Sequence, residues 1–269
     1  MSMKLIQGDC LEKMKDIPDV SIDLTVTSPP YDNLRTYNGY VFDFEGIAKE
    51  LYRITKEGGV VVWVVGDATI NGSETGTSFK QALYFKEIGF NLHDTMIYRT
   101  EGLTLNHNRY EQEIEYMFVF SRNKPKTFNP IKIPCLWYGK DSDRTGQKTG
   151  KHNESNKKLR SENGRTNIKP TKIKGNVWKY GTGYGKSSKD KIAYKHPAIF
   201  PEQLAYDHII SWSNEGDTVL DPMMGSGTTG KRAKILNRHF TGIEISKEYF
   251  DIATRRIEDT DPLFQAAGL

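Results

Sequence analysis

The residues with the most chemistry to offer are Thr27-Ser28-Pro29-Pro30-Tyr31. Two consecutive prolines have no backbone N–H to donate, fix their own φ angles and push Ser28 toward extended geometry. The stretch is therefore a stiff turn rather than a continuing strand. It exposes the Ser28 hydroxyl, the carbonyl groups of Ser28 and Pro29, and the face of the Tyr31 ring. Those oxygens can accept hydrogen bonds from a planar amino group while the ring stacks on the same heterocycle, which describes a pocket for a nucleobase. The same residues would also serve as an ordinary turn with Tyr31 as packing. A second motif, far away in the chain, gives weight to the pocket.

That motif is Asp221-Pro222-Met223-Met224-Gly225-Ser226-Gly227-Thr228-Thr229-Gly230, with Glu244 about twenty residues beyond its first glycine. Three templates compete for it. Gly225, Gly227 and Gly230 spell the dinucleotide fingerprint, in which a later acid holds ribose hydroxyls. Gly225 to Lys231 also spells a phosphate loop, but Arg232 stands where that loop needs a serine or threonine for magnesium. The third template is the S-adenosylmethionine loop, which shares the strand-glycine-helix geometry and the acid on the next strand. Asp221-Pro222 at the strand end fits this third template best.

The elements that must position the two motifs follow from periodicity. Ile22 to Val26 is a β-branched apolar run, suited to a buried strand, and it delivers the proline turn at its carboxyl end, where open α/β sheets bind ligands. Residues 4–8 form a short strand ending at Gly8-Asp9-Cys10, followed by a helix over 11–15. Apolar residues at helical spacing run from Phe44 to Lys56, with Gly58-Gly59 expected to end that helix. Val60 to Val65 suits a central strand covered on both faces. A helix over 78–88 and strands over 94–99 and 115–120 come next. Past residue 195, a helix over 201–212, a strand over 217–220, the glycine loop, a helix to about Leu236, a strand over 240–245 and a helix over 247–258 complete an α/β sheet.

Charge is distributed unevenly along the 269 residues. Residues 121–195 carry 20 Lys and Arg against 5 Asp and Glu, a net of +15, which leaves −11 for the rest of a chain whose total is +4. A polyanionic partner, nucleic acid first, explains this segregation better than a solvated surface. Residues 139–175 have almost no large apolar side chains and cannot build a core of their own. Trp137, Tyr138, Trp178, Tyr180 and Tyr184 interleave aromatics with the basic residues. The expected organisation is 1–120 as the first part of a catalytic domain, 121–195 as an inserted basic region, and 196–269 as the second part. Cys10 and Cys135 make neither a disulfide framework nor a metal spacing. The opening residues lack a signal-peptide core, and no run is long and apolar enough for a membrane span, so a cytoplasmic protein is expected.

The two motifs together resemble those of the amino-group DNA methyltransferases. Thr27 to Tyr31 looks like the catalytic motif of that family and Asp221 to Thr229 like its cofactor motif. Their order, with the basic region between them, is that of the circularly permuted β group. The resemblance implies a Rossmann-like class I methyltransferase sheet and S-adenosylmethionine as cofactor, with no metal. It assigns Ser28, Pro29, Pro30 and Tyr31 to the base. Asp9, Cys10, His196, Pro197, Phe200, Asp221, Pro222, Met223, Gly225, Ser226, Gly227, Thr228, Glu244 and Ile245 fall to the cofactor. Arg35, Tyr37, Lys157, Lys158, Arg160 and Arg165 are the expected DNA contacts.

Ser-Pro-Pro-Tyr is associated in this family with N4 of cytosine and Asp-Pro-Pro-Tyr with N6 of adenine. Ser28 therefore points to cytosine, with adenine the second reading; a nicotinamide oxidoreductase and a non-catalytic DNA-binding protein are more distant alternatives. The expected partner is double-stranded DNA, alongside a cognate restriction endonuclease where one exists, with the chain acting as a monomer or homodimer in a bacterial, archaeal or phage-encoded setting.

Overall fold

The computed structural model describes residues 1–30, 42–100, 110–136, 138 and 169–261. It separates into two compact units, Met1–Asn129 with Asn176–Leu269 as one and Pro130–Gly175 as the other.

The first unit is built on an eight-stranded sheet. In chain order its elements are β1 (Met3–Gln7), α1 (Cys10–Met14), β2 (Ile22–Thr27), α2 (Phe44–Ile54), β3 (Thr55–Val65), the small hairpin β4 (Thr69–Ile70) and β5 (Ser73–Glu74), α3 (Thr77–Glu87), β6 (Asn91–Arg99) and β7 (Ile114–Ser121). In the second unit β8 (Lys132–Pro134) pairs antiparallel with β9 (Thr171–Ile173). The first unit then resumes with β10 (Val177–Lys179), a 3-10 turn (Lys191–Lys195), α4 (Glu202–Trp212), β11 (Thr218–Asp221), α5 (Thr228–Ile235), β12 (His239–Glu244) and α6 (Lys247–Glu258).

Sheet order is β1-β12-β11-β2-β3-β7-β6-β10. The first five strands are parallel, β7 is antiparallel to both its neighbours, and β10 runs parallel to β6. The strand order reverses between β11 and β2, since β11 connects outward to β12 and β2 connects the other way to β3. Open α/β sheets place their ligand crevice at such a switch point.

Both faces are covered. Val61, Trp63 and Val65 of β3 join Leu51 and Ile54 of α2 and Phe85 of α3 in one buried cluster. Val60, Val62 and Val64, on the opposite face by strand alternation, are also buried. A fully buried side chain of this size contributes about 1.5–3 kcal/mol, so β3 anchors the sheet. Helix α2 explains its own start, because the Asp43 side chain accepts the Gly46 N–H at 2.9 Å. Its buried residues Ile47, Ala48, Leu51 and Ile54 make one stripe.

Two expectations change here. Gly58-Gly59 does not end α2. The helix stops at Ile54, and β3 runs through the glycines with a register irregularity opposite Ile22 and Leu24. Gly58 takes φ +75° while its N–H donates to the Arg122 carbonyl at 2.7 Å, so the glycine makes a bulge in a strand. The other change concerns the basic insertion, read as 121–195. The separate unit is the narrower Pro130–Gly175, and β10 adds a strand to the main sheet. Trp178 and Tyr180 are consequently buried, with the Tyr180 hydroxyl donating to Asp207 at 2.7 Å. They are core residues. Tyr138 and Tyr184 remain exposed, and Trp137 lies outside the described residues.

Candidate active site

Four neighbouring strands bring their carboxyl ends to one edge of the sheet. Register places Gln7 beside Glu244, Asp221 beside Gly242, and Leu220 beside Thr25. The turns after β1, β12, β11 and β2 therefore leave the sheet side by side. Together with residues 182–200 they enclose a cavity of about 860 Å³, within the usual range for small-molecule sites.

Most residues singled out from the sequence line this cavity. Ser28, Pro29 and Pro30 contribute one wall and Pro222, Met223, Gly225, Ser226 and Thr228 another. Asp9, Cys10, Glu244 and Ile245 line it from β1 and β12, and His196, Pro197 and Phe200 from the segment before α4. The proline turn and the glycine loop, separated by nearly two hundred residues, thus face a single space. Tyr31, Arg35, Tyr37, Lys157, Lys158, Arg160 and Arg165 lie outside the described residues.

The glycines of the loop have separate jobs. Gly227 holds φ +79° at the N-cap of α5, and a Cβ there would come within 2.9 Å of the Ala253 Cβ. Gly225 holds φ +49°, and its Cβ would sit 3.0 Å from His196 Nε2. Only glycine lets the backbone turn there and lie against the imidazole. The Gly225 N–H donates to Glu244 Oε2 at 2.9 Å, while Glu244 Oε1 accepts the Ser246 N–H at 2.8 Å. Burial raises the Glu244 carboxyl despite these bonds. His196 accepts the Ala198 N–H on Nδ1 at 3.1 Å and meets the Tyr249 ring edge-on at 4.4 Å between centroids.

Asp221 and Gly227 stand behind the lining instead of on it. The Asp221 carboxylate is buried, accepting the Thr27 hydroxyl at 2.8 Å and the Met223 N–H at 3.2 Å. It joins the end of β2 to the start of the glycine loop. Asp9 has a structural task as well, capping α1 by accepting the Glu12 N–H at 3.2 Å. Burial, and then the Asp9 charge, push the Cys10 thiol up to about 12. It stays protonated and is a poor nucleophile at neutral pH.

A group not anticipated from the sequence lies behind the loop. Lys231 Nζ pairs with Asp190 at 2.7 Å and Glu202 at 3.1 Å, and Arg232 reaches Glu202 at 2.6 Å. Arg256 of α6 also meets both acids. Burial alone would raise the Glu202 carboxyl, but the Ser188 hydroxyl and the Lys231 and Arg232 charges hold it below the usual carboxylate range. These pairs remove Lys231 from any phosphate-loop role. No local signal marks it in the sequence, because the acids that pair with Lys231 and Arg232 lie 29 to 41 positions away.

A proline turn and a glycine loop on one cavity, at the switch point of a mostly parallel sheet, define a class that comparison with known proteins makes specific. Residues 22–255 match the model of a DNA methylase family with N6 and N4 specificities, and the chain belongs to that family. Over 254 residues it is 56% identical to the orphan methyltransferase M.BamHII of Bacillus amyloliquefaciens, covering 91% of this chain and 92% of that one. The fold is similar to that of PvuII DNA methyltransferase (cytosine-N4-specific), with a TM-score of 0.70 at 19% identity, across 99% of this chain and 91% of the other. M1.HpyAVI, solved as an S-adenosylmethionine complex, gives 0.62 at 24% identity, across 95% and 98%. The protein is an amino-group DNA methyltransferase that uses S-adenosylmethionine. The cavity suits that cofactor, offering a buried carboxylate, apolar walls from Met223, Phe200 and Ile245, and a glycine backbone where a Cβ would not fit.

Proposed function

We propose that this enzyme methylates N4 of a cytosine turned out of double-stranded DNA. The observation that carries the reading is Ser28, which stands before Pro29-Pro30 on the wall facing the glycine loop. A neutral hydroxyl occupies the place where the adenine-associated motif has a carboxylate.

S-adenosylmethionine supplies an electrophilic methyl group on its sulfonium. Glu244 would hold the ribose hydroxyls and the apolar side chains of Met223 and Ile245 the adenine, with Phe200 on the methionine side. Asp9, Cys10, Pro222 and Thr228 complete this wall, and His196 and Pro197 border the methionine portion with Gly225 and Ser226. Asp221 and Gly227 would act from behind by fixing the loop.

The exocyclic nitrogen of a base is a weak nucleophile because its lone pair is delocalised into the ring. Hydrogen bonds from its two protons to Ser28 Oγ and the Pro29 carbonyl would draw that pair out of conjugation and aim it. Positioning and electrostatic stabilisation of this kind supply several kcal/mol. Turning the base out of the duplex costs a few kcal/mol, and stacking on Tyr31 would offset about 1–3 kcal/mol. Arg35 and Tyr37, with Lys157, Lys158, Arg160 and Arg165 of the basic unit, would hold the DNA. Methylating a sequence-diverse DNA and mapping the modified positions tests the proposal. Modification confined to cytosines in one short context is expected, and modification confined to adenines would overturn it.

A further inference from the structure

Arg256 does not line the cavity, yet it bonds to two residues that do. Its side chain is 1% exposed. One terminal nitrogen donates to the carbonyl of Ser226, to the Ser226 hydroxyl at 3.0 Å and to the Thr228 hydroxyl at 3.5 Å. The other donates to Glu202 Oε1 at 2.8 Å and to the Ser188 hydroxyl at 3.4 Å, and Nε reaches Asp190 Oδ2 at 3.3 Å.

Those partners come from three places. Ser226 and Thr228 belong to the glycine loop; Ser188 and Asp190 follow Ser187, which also lines the cavity; Glu202 opens α4 just after Phe200 and Pro201. A buried ion cluster is not an economical source of stability, since well-packed apolar residues of similar volume often do as well or better. What the guanidinium adds is geometry, a planar fork whose N–H groups hold several acceptors at once, which an ammonium group cannot match.

We infer that Arg256 is a positioning residue that locks the glycine loop to the neighbouring 187–202 segment, which borders the same cofactor cavity, and so sets cofactor affinity without touching the cofactor. This rests on the cofactor site proposed above. Arg256→Lys keeps a charge for Glu202 but loses the fork, whereas Arg256→Gln loses both. Arg238→Lys is the control, because Arg238 is also buried and bonds to Ser213 and Leu236, away from the cavity.

The full chain and these variants would be compared by melting temperature, by calorimetry with S-adenosylhomocysteine, and by initial rates against S-adenosylmethionine and DNA. The expected result for Arg256→Lys is an increase of about tenfold, equivalent to about 1.4 kcal/mol, in both the dissociation constant and the cofactor KM. Its kcat at saturating cofactor should stay within about twofold of the unsubstituted enzyme, with the KM for DNA unchanged. Arg256→Gln should be weaker still, and Arg238→Lys should bind normally even where its melting temperature falls as far. Three results would overturn the inference: unchanged affinity in a folded Arg256→Lys, equal loss in Arg238→Lys, or failure of Arg256→Lys to fold, which would make the arginine a fold determinant. An unsubstituted chain that ignores S-adenosylhomocysteine would instead overturn the site itself.

Discussion

The hydroxyl of Thr27 donates to the carboxylate of Asp221 at 2.8 Å, tying together two residues 194 positions apart. Thr27 is the last residue of the strand that presents Ser28, and Asp221 is the last residue of the strand that presents the glycine loop. One buried bond therefore ties the proline turn to the glycine loop, alongside the pairing of β11 with β2. Thr27→Val keeps the shape, removes the donor and leaves a buried acceptor short of a partner. The expected cost is about 1–3 kcal/mol of stability, with methylation falling more than the melting temperature alone would explain. Denaturant unfolding together with a methylation assay on the same preparation checks it, and an unchanged variant would show that the bond is incidental.

The same carboxyl makes stability depend on pH. Burial pushes Asp221 up from 3.8 to about 6, despite the bonds from Thr27 and Met223. A raised folded value means that the native state favours the protonated form. That contribution is fully present below about pH 4 and is lost as pH rises through about 6. Asp221→Asn retains a carbonyl acceptor and does not titrate. The stability of the unsubstituted protein relative to this variant should fall by about 2 kcal/mol between pH 4 and pH 7, then level off. A difference independent of pH would mean that the carboxyl is not held in this way.

Base handling and cofactor binding should separate by mutation. Ser28→Ala and Tyr31→Ala are expected to reduce methylation severely while S-adenosylhomocysteine still binds. Glu244→Gln should do the reverse at the binding step, since the two Glu244 oxygens accept N–H groups of Gly225 and Ser246. An amide would turn a donor toward one of them. A loss of at least about tenfold in affinity is expected, equivalent to about 1.4 kcal/mol or more. Calorimetry on all three variants decides the matter, and normal binding by Glu244→Gln would remove that residue from the site.

Much of this arrangement was visible in the residues because both motifs combine a rigid backbone with a strand end. Pro29-Pro30 and the turn glycines Gly225 and Gly227 state their conformations almost without context, and Val60 to Val65 announces a strand covered on both faces. Composition misled where burial was decided by distant partners. Trp178 and Tyr180 lie among lysines in sequence, yet β6 and Asp207 take them into the core. Gly58-Gly59 carried a helix-end signature, and pairing with β2 and β7 made it part of a strand instead. Asp221, expected at the cofactor, is buried and accepts the Thr27 hydroxyl, a partner that no local pattern shows. The Arg256 cluster joins residues up to 68 positions apart, and no local pattern announces it.

Affinity for DNA should fall steeply with salt, because residues 121–195 concentrate a net charge of +15. Each neutralised phosphate adds about 0.9 to the slope of log affinity against log salt on duplex DNA. Replacing Lys157, Lys158, Arg160 and Arg165 by glutamine should flatten that slope by about 0.9 for every phosphate left without its cation. Fluorescence anisotropy across a salt series measures it. An unchanged slope would take these four residues off the DNA.

The proposal of cytosine as the target base rests on Ser28, and product chemistry tests it most directly. DNA methylated by the purified enzyme, digested to nucleosides and analysed by mass spectrometry against authentic standards, should contain N4-methyldeoxycytidine. N6-methyldeoxyadenosine as the sole modified nucleoside would contradict the assignment of this enzyme to cytosine.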